Sequence, residues 1–284
     1  MIPKLKRDLS SWHAYALMLG GMIGAGVFVV TGEAGAQAGP AVPFGYIILL
    51  PILLSSALAY MIFLSTPLGK HSGGAYIHIS RTFKSHFTGF IFMWFQFIAM
   101  LGVMTIMAIS FGEYLYSMIG IGSPLIFATA LTLLFYVLNL IGVKWFGKFQ
   151  IIMTILLLVA IVVLVVPGLF FIDFKNYSPM LPYGWSGLIG VLPILFFSYF
   201  GFEQLAQAGG EIKDPQKSLP RTMFRGSLVI MFIYFLISFV AFGVISHEKL
   251  AASHSAMADV AAVYLPAGGN WIVGLGIIMA FATT

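Results

Sequence analysis

Runs of about twenty apolar residues, parted by short polar segments, fill this 284-residue chain, and each is long enough to cross roughly 30 Å of hydrocarbon as a helix. The pattern predicts eight spans, near residues 11–37, 42–64, 86–116, 124–141, 146–168, 184–210, 221–245 and 267–284. The third is long enough to tilt or to project past the bilayer. Pro51 and Pro193 fall inside spans, where neighbouring helices can satisfy the freed backbone groups. The alternating segments of a membrane β-barrel, about ten residues each, are absent. The predicted fold class is therefore an all-α polytopic membrane protein. Two spans carry glycine near their middles: Gly20-Gly21-Met22-Ile23-Gly24-Ala25-Gly26-Val27 in the first and Phe197-Ser198-Tyr199-Phe200-Gly201-Phe202-Glu203 in the sixth. Interrupted helices at matching positions of two halves point to a transporter's binding site.

Composition agrees with the pattern. The chain is 60% hydrophobic and 8% charged, against roughly 25% charged residues in soluble domains. It holds no cysteine, which removes disulfides, thiolate metal sites and cysteine nucleophiles. The net charge of +5 is explained by its placement rather than by a nucleic-acid partner. With the N-terminus in the cytoplasm, the inner segments hold Lys4, Lys6, Arg7, Lys70, Arg81, Lys84, Lys144, Lys148, Lys213, Lys217, Arg221 and Arg225, and the outer loops hold Lys175 and Lys249. That positive-inside bias predicts a multi-pass protein of the cell membrane with a cytoplasmic N-terminus. Residues Lys4 to Ala36 also mimic a signal peptide, but its cleavage would remove the span on which the charge alternation depends.

Four local motifs, in order along nearly the whole chain, resemble the amino acid–polyamine–organocation (APC) permeases. Gly21-Met22-Ile23-Gly24-Ala25-Gly26-Val27-Phe28 is similar to that family's G-x-I-G-x-G-I-F, and Ser72-Gly73-Gly74-Ala75-Tyr76 to its S-G-G-x-Y. Phe197 to Glu203, followed by Glu211-Ile212-Lys213-Asp214-Pro215-Gln216-Lys217-Ser218-Leu219-Pro220, resembles its F-x-G-[FY]-[DE] segment with an E-x-K-[ND]-P-x-x-x-[IL]-P loop. Asn139-Leu140-Ile141-Gly142-Val143-Lys144 is a further match. The resemblance implies a LeuT-type inverted-repeat bundle with helices 1 and 6 discontinuous. It divides the chain into a cytoplasmic segment 1–10, a first five-helix repeat 11–168 and the start of a second repeat 184–284. Family members have about twelve spans, so it also implies that spans 9 to 12 are missing and that the natural product continues past Thr284.

A helix broken in mid-membrane leaves unpaired N–H groups on one side of the break and unpaired C=O groups on the other, and an amino-acid zwitterion can meet both. On this reading Ile23, Gly24, Ala25, Gly26 and Val27 line the first break. The N–H groups of Gly24 to Val27 hold the substrate carboxylate. Carbonyls near Ile23 and those of Phe197, Ser198 and Gly201 hold the ammonium. The competing reading of the glycines is close helix–helix packing. Glu203, a carboxyl inside a span, marks a pathway or relay, and the resemblance implies a proton-linked gate there; the competing reading is a neutral glutamic acid bridging span 6 to a neighbour. Phe197 covers the substrate or simply packs. Gln96 and Thr105 face the cavity or bond their own helix.

The coupling ion is a proton or sodium, and no other cofactor is expected. The lysine that some proton-coupled members carry in span 5 is replaced here by about Leu157, and sodium would need hydroxyls such as Thr283 and Thr284 beside span 1 carbonyls. In the loop from Glu211 to Arg225, Pro220 is expected to open the next helix. Asp173, Asp214 and Asp259 are placed in loops, and His13, His71, His78, His86, His247 and His254 near membrane edges. No intramembrane protease motif is present, so an enzyme is not expected. The predicted function is a secondary active amino acid transporter, either a proton-coupled symporter or an exchanger, monomeric or homodimeric. A polyamine or organic-cation carrier and a non-transporting sensor or channel remain as alternatives.

Overall fold

The computed structural model describes every residue except 1–6, 8, 68–73, 142, 254 and 284, and the backbone alone at 25, 139, 141, 143–148 and 267–270. Lys4, Lys6, Lys70, His71, Ser72, Gly73, Gly142, His254 and Thr284 thus lie outside the described residues, as do the side chains of Ala25, Asn139, Lys144 and Lys148.

The described residues form helices joined by short turns, with no strand among them. Hydrocarbon offers no partner for a backbone N–H or C=O, so a spanning segment must satisfy its own. The first span is two helices, α1 (Ser11–Met22) and α2 (Ala25–Ala38), separated at Ile23 and Gly24. The second is α3 (Val42–Ile48) and α4 (Leu50–Ser65), jointed at Leu49 just before Pro51. A short amphipathic helix, α5 (Gly74–Thr82), precedes α6 (His86–Ile119). At 34 residues, α6 is about 50 Å long, so it exceeds the hydrocarbon thickness as expected. Then come α7 (Pro124–Ile141) and α8 (Val143–Gly168). The sixth span is α9 (Gly184–Phe197), a run of turns from Ser198 to Glu203, and the single turn α10 (Gln204–Gln207). Next are α11 (Pro215–Val244), α12 (His247–Ala252), α13 (Ala256–Tyr264) and α14 (Ala267–Thr283).

Two expectations are corrected. Pro215, not Pro220, opens α11: it sits at the first helical position, where its missing N–H costs nothing, behind Asp214 in a left-handed conformation. Pro220 lies inside the helix. Asp259 belongs to α13 rather than to a loop.

The core is the seam around the two broken spans. They run antiparallel and pair crosswise, α1 with α10 and α2 with α9. Around them α11 packs on α1, α3 and α4, while α14 lies along α8. At one end of the bundle α5 packs on α10, and Leu9 forms an isolated parallel bridge with Ile212, through Leu9 N–H to Glu211 O (3.1 Å) and Lys213 N–H to Leu9 O (2.9 Å). At the other end α12 and α13 cover α2. The outward faces of α6 and α7 expose rows of large apolar side chains, including Phe90, Trp94, Phe97, Leu133 and Leu134, as a lipid-facing surface requires.

Candidate functional site

The first break is made by backbone. Ile23 N–H still reaches Leu19 O (2.9 Å), and Gly24 N–H turns back to Met22 O (3.0 Å). Gly24 then adopts φ −132°, ψ −143°, outside helical values, and α2 starts afresh. Ala25, Gly26 and Val27 are its first three residues, so their N–H groups have no carbonyl one turn earlier to bond.

The second break is tighter. Tyr199 N–H bonds Phe196 O (2.9 Å), Phe200 N–H bonds Phe197 O (3.0 Å) and Gln204 N–H bonds Gly201 O (3.1 Å). Each of these carbonyls therefore accepts one protein hydrogen bond and keeps a second lone pair. Gly201 has φ +119°, and a Cβ there would stand 2.5 Å from Gly21 O, so both conformation and space call for glycine.

The two breaks touch. A Cβ on Gly26 would lie 2.5 Å from Ser198 Cα, which leaves no room for any side chain between the backbones. Tyr234 of α11 ties them further: its hydroxyl lies on Ser198 O at 2.7 Å and also contacts Met22 O. Tyr46, Tyr199 and Tyr234 are buried together, with ring centroids 5.2–5.9 Å apart. Tyr199 donates to Tyr46 O (3.2 Å), and the Tyr46 and Ser198 hydroxyls lie 3.4 Å apart.

A small cavity of about 10 Å³ opens beside the contact, roughly the room one water needs. Gly24 and Gly26 line it from the first break, Phe197, Ser198 and Phe200 from the second, Met22 from the end of α1, and Val103 and Met107 from α6. The rings of Phe197 and Phe200 stack at 6.3 Å. Among the predicted residues, Ile23 and Val27 are fully buried in the core and do not line the cavity, while Gly201 lies against α1.

Glu203 is 6% exposed. Its Oε2 accepts the Gly201 N–H at 3.2 Å, and Oε1 has no hydrogen-bond partner among the described residues. The neighbouring Phe202 meets Tyr60 of α4 edge-on at 5.5 Å. Thr105 is exposed and bonds its own helix at Leu101 O (2.8 Å); Gln96 is half-buried.

A second polar patch joins α1, α8 and α14. Gln150 Nε2 donates to Thr283 O (3.3 Å), and Thr154 Oγ1, which donates to Gln150 O (2.7 Å), lies 3.4 Å from Ala16 O. Both side chains crowd Gly20, where a Cβ would lie 2.3 Å from Gln150 Nε2 and 2.8 Å from Thr154 Oγ1. Leu157 is buried in the core nearby in sequence.

Sequence reasoning missed Tyr234, Tyr46, Val103, Met107 and Gln150. A buried phenol must find a hydrogen-bond partner, but the sequence does not show which tyrosine is buried or what it meets.

These features define a multi-pass helical membrane protein organised around two broken helices that meet at a small central cavity. The chain belongs to the amino acid permease family, whose pattern matches residues 9–284. It is similar to the branched-chain amino acid permease BcaP of Bacillus subtilis, at 25% identity over 95% of this chain and 61% of the relative. It is also similar to the serine/threonine exchanger SteT of the same organism, at 29% identity over 97% and 64%. The cationic amino acid transporter 9 of Arabidopsis thaliana is 27% identical over 99% of this chain and 52% of its own length. The chain thus spans about half to two thirds of these relatives, which are transporters rather than enzymes.

Proposed function

We propose that the chain forms the substrate-binding part of a secondary transporter that moves an amino acid across the cell membrane by alternating access, with its N-terminus in the cytoplasm. The observation that carries this reading is the backbone contact of the two breaks at the cavity. There the opening N–H group of α2 at Gly26, with those of Ala25 and Val27 on the same turn, suits a carboxylate, while the Gly24 N–H stays on Met22 O. The free lone pairs of the Phe197 and Ser198 carbonyls, whose residues line the cavity, suit an ammonium, while Ile23 and Gly201 lie away from it. The antiparallel pairing of the broken spans is the relation that inverted repeats would produce, which supports a LeuT-type arrangement.

Glu203 supports proton coupling. Its Oε1 is buried without a partner among the described residues, so ionising it there is costly unless something polar arrives. Proton exchange at this carboxyl would then accompany opening of the site.

The test is tracer counterflow in proteoliposomes with a panel of amino acids and spermidine, run across pH. Saturable counterflow of an amino acid is expected. Counterflow of spermidine alone would make it a polyamine carrier, and binding without counterflow would make it a sensor.

A further inference from the structure

We infer that the N-terminal end of α11 binds an anionic glycerophospholipid, with Lys217, Arg221 and Arg225 on its phosphate and Phe224, Val229 and Phe232 along its acyl chains. The inference does not need the transporter reading above. Lys217, Arg221 and Arg225 recur every fourth residue of α11, and all three are exposed. Four residues make slightly more than one turn, so the three fall within about 80° of one another round the helix. Phe224, Val229 and Phe232 are exposed as well and share that face, which is roughly 140° wide. The opposite face, with Leu219, Met223, Gly226 and Ile230, is buried, and Gly226 sits against Met18 of α1. A cationic stripe thus continues into an apolar one on a single exposed surface.

The depth of the stripe matches a phospholipid. At 30 residues, α11 is about 45 Å long, against roughly 30 Å of hydrocarbon. About twenty residues fill that thickness. Counted back from Val244, they place Arg225 where acyl chains meet headgroups, with Arg221 and Lys217 among the headgroups. Trp12 gives a second marker of level. It is exposed in the first turn of α1, close to where Leu9 is bridged to Ile212 ahead of α11, and tryptophan collects at the headgroup layer.

Charge that only orients a chain during insertion can stand anywhere in the adjoining loop. These cations stand instead on one exposed helix face at phosphate depth. Arginine offers a planar fork that pairs two hydrogen bonds with a phosphate, and its stem lies along apolar surface while its head reaches the interface. Lys217 is in the first turn of α11, where the helix dipole disfavours a cation, and a bound phosphate offsets that cost. Asp214, exposed at the N-cap, lies on the solvent side of Lys217 and leaves the stripe cationic.

The experiment measures the thermal midpoint of the purified chain in nanodiscs of phosphatidylcholine, alone and with a rising share of phosphatidylglycerol. A nanodisc has no inside or outside, so an orienting role alone predicts no effect. The midpoint is expected to rise and to level off at a minor share of the anionic lipid, as for a ligand that binds the folded state. Replacing all three cations, Lys217→Gln with Arg221→Gln and Arg225→Gln, is expected to weaken phosphatidylglycerol roughly a hundredfold, since each basic residue near an anionic surface counts for about fivefold. Should that variant fail to fold, Arg221→Gln alone is expected to lose part of the rise and Arg221→Lys to keep most of it. The control Arg81→Gln with Lys84→Gln, on α5, is expected to respond as the wild type. An equal loss in the control would show diffuse attraction and overturn the inference. So would no response to phosphatidylglycerol, or the same rise with inorganic phosphate in phosphatidylcholine alone, which would make this a soluble-anion site. Native mass spectra are expected to show one chain with phosphatidylglycerol retained; paired chains without it would assign the face to a second copy and overturn the lipid.

Discussion

The Tyr234 hydroxyl lies 2.7 Å from the carbonyl oxygen of Ser198 and also touches that of Met22. A phenol has one proton, so two carbonyls at the two helix breaks share a single donor. Tyr234→Phe keeps the ring packing against Tyr46 and Tyr199 and removes the donor. Each carbonyl left unpaired costs about 1–3 kcal/mol, and Met22 O alone retains a second partner, the Gly24 N–H. The variant is expected to melt several degrees lower in detergent and to bind substrate more weakly. An unchanged melting temperature would mean that the hydroxyl is not what ties the breaks.

Gly26→Leu is expected to insert in the membrane yet lose substrate binding, because its first side-chain carbon would already fall 2.5 Å from Ser198 Cα. The check is surface expression measured beside ligand protection. Retained affinity would remove the first break from the site.

Gly201→Ala meets two obstacles, a φ of +119° and the Gly21 carbonyl oxygen 2.5 Å from the new methyl. Strained backbone of this kind costs about 1–3 kcal/mol, so the expected result is a destabilised protein, read as a lowered thermal midpoint. Gly190, with open space around it, serves as the control position, and Gly190→Ala should be close to neutral.

Glu203→Gln keeps a side-chain oxygen for the Gly201 N–H and deletes the ionisable group. Transport by the wild type is expected to vary with pH, and by the variant to be flat, when initial rates are compared from pH 5 to 8. A variant with the wild-type profile would assign Glu203 to packing alone.

His78 of α5 lies outside the spans, stacked on Phe63 at 4.7 Å, and burial holds its pKa below the ordinary histidine value. The unfolded chain therefore takes up this proton at higher pH than the folded one. Stability is unaffected well above about pH 6.5, the unfolded value, and falls as pH drops below it. Thermal midpoints of the wild type should decline between pH 7 and 5, and His78→Phe should decline less.

The glycines announced both breaks because glycine inside an apolar run has few uses, and the structure puts them at Gly24 and in the Ser198–Glu203 turns. The α5, α12 and α13 helices were not legible: they are short, mixed in composition and held at the ends of the bundle by α10 and α2 rather than by their own pattern. Tyr234 was invisible for a different reason. In an apolar run a tyrosine looks like packing, and only the fold reveals that its hydroxyl meets backbone from residues 212 and 36 positions away. Asp214 and Pro215 misled because Pro220 also satisfies the rule for opening a helix, and local sequence does not choose between two such prolines.

Gly26 against Ser198 and Gly201 against Gly21 are contacts of main chain on main chain, one on each side of the breaks. Side chains give way by changing rotamer; main chain does not. Two such bearings set the spacing of the broken spans from backbone alone, so no change of rotamer can bring the spans closer where they meet.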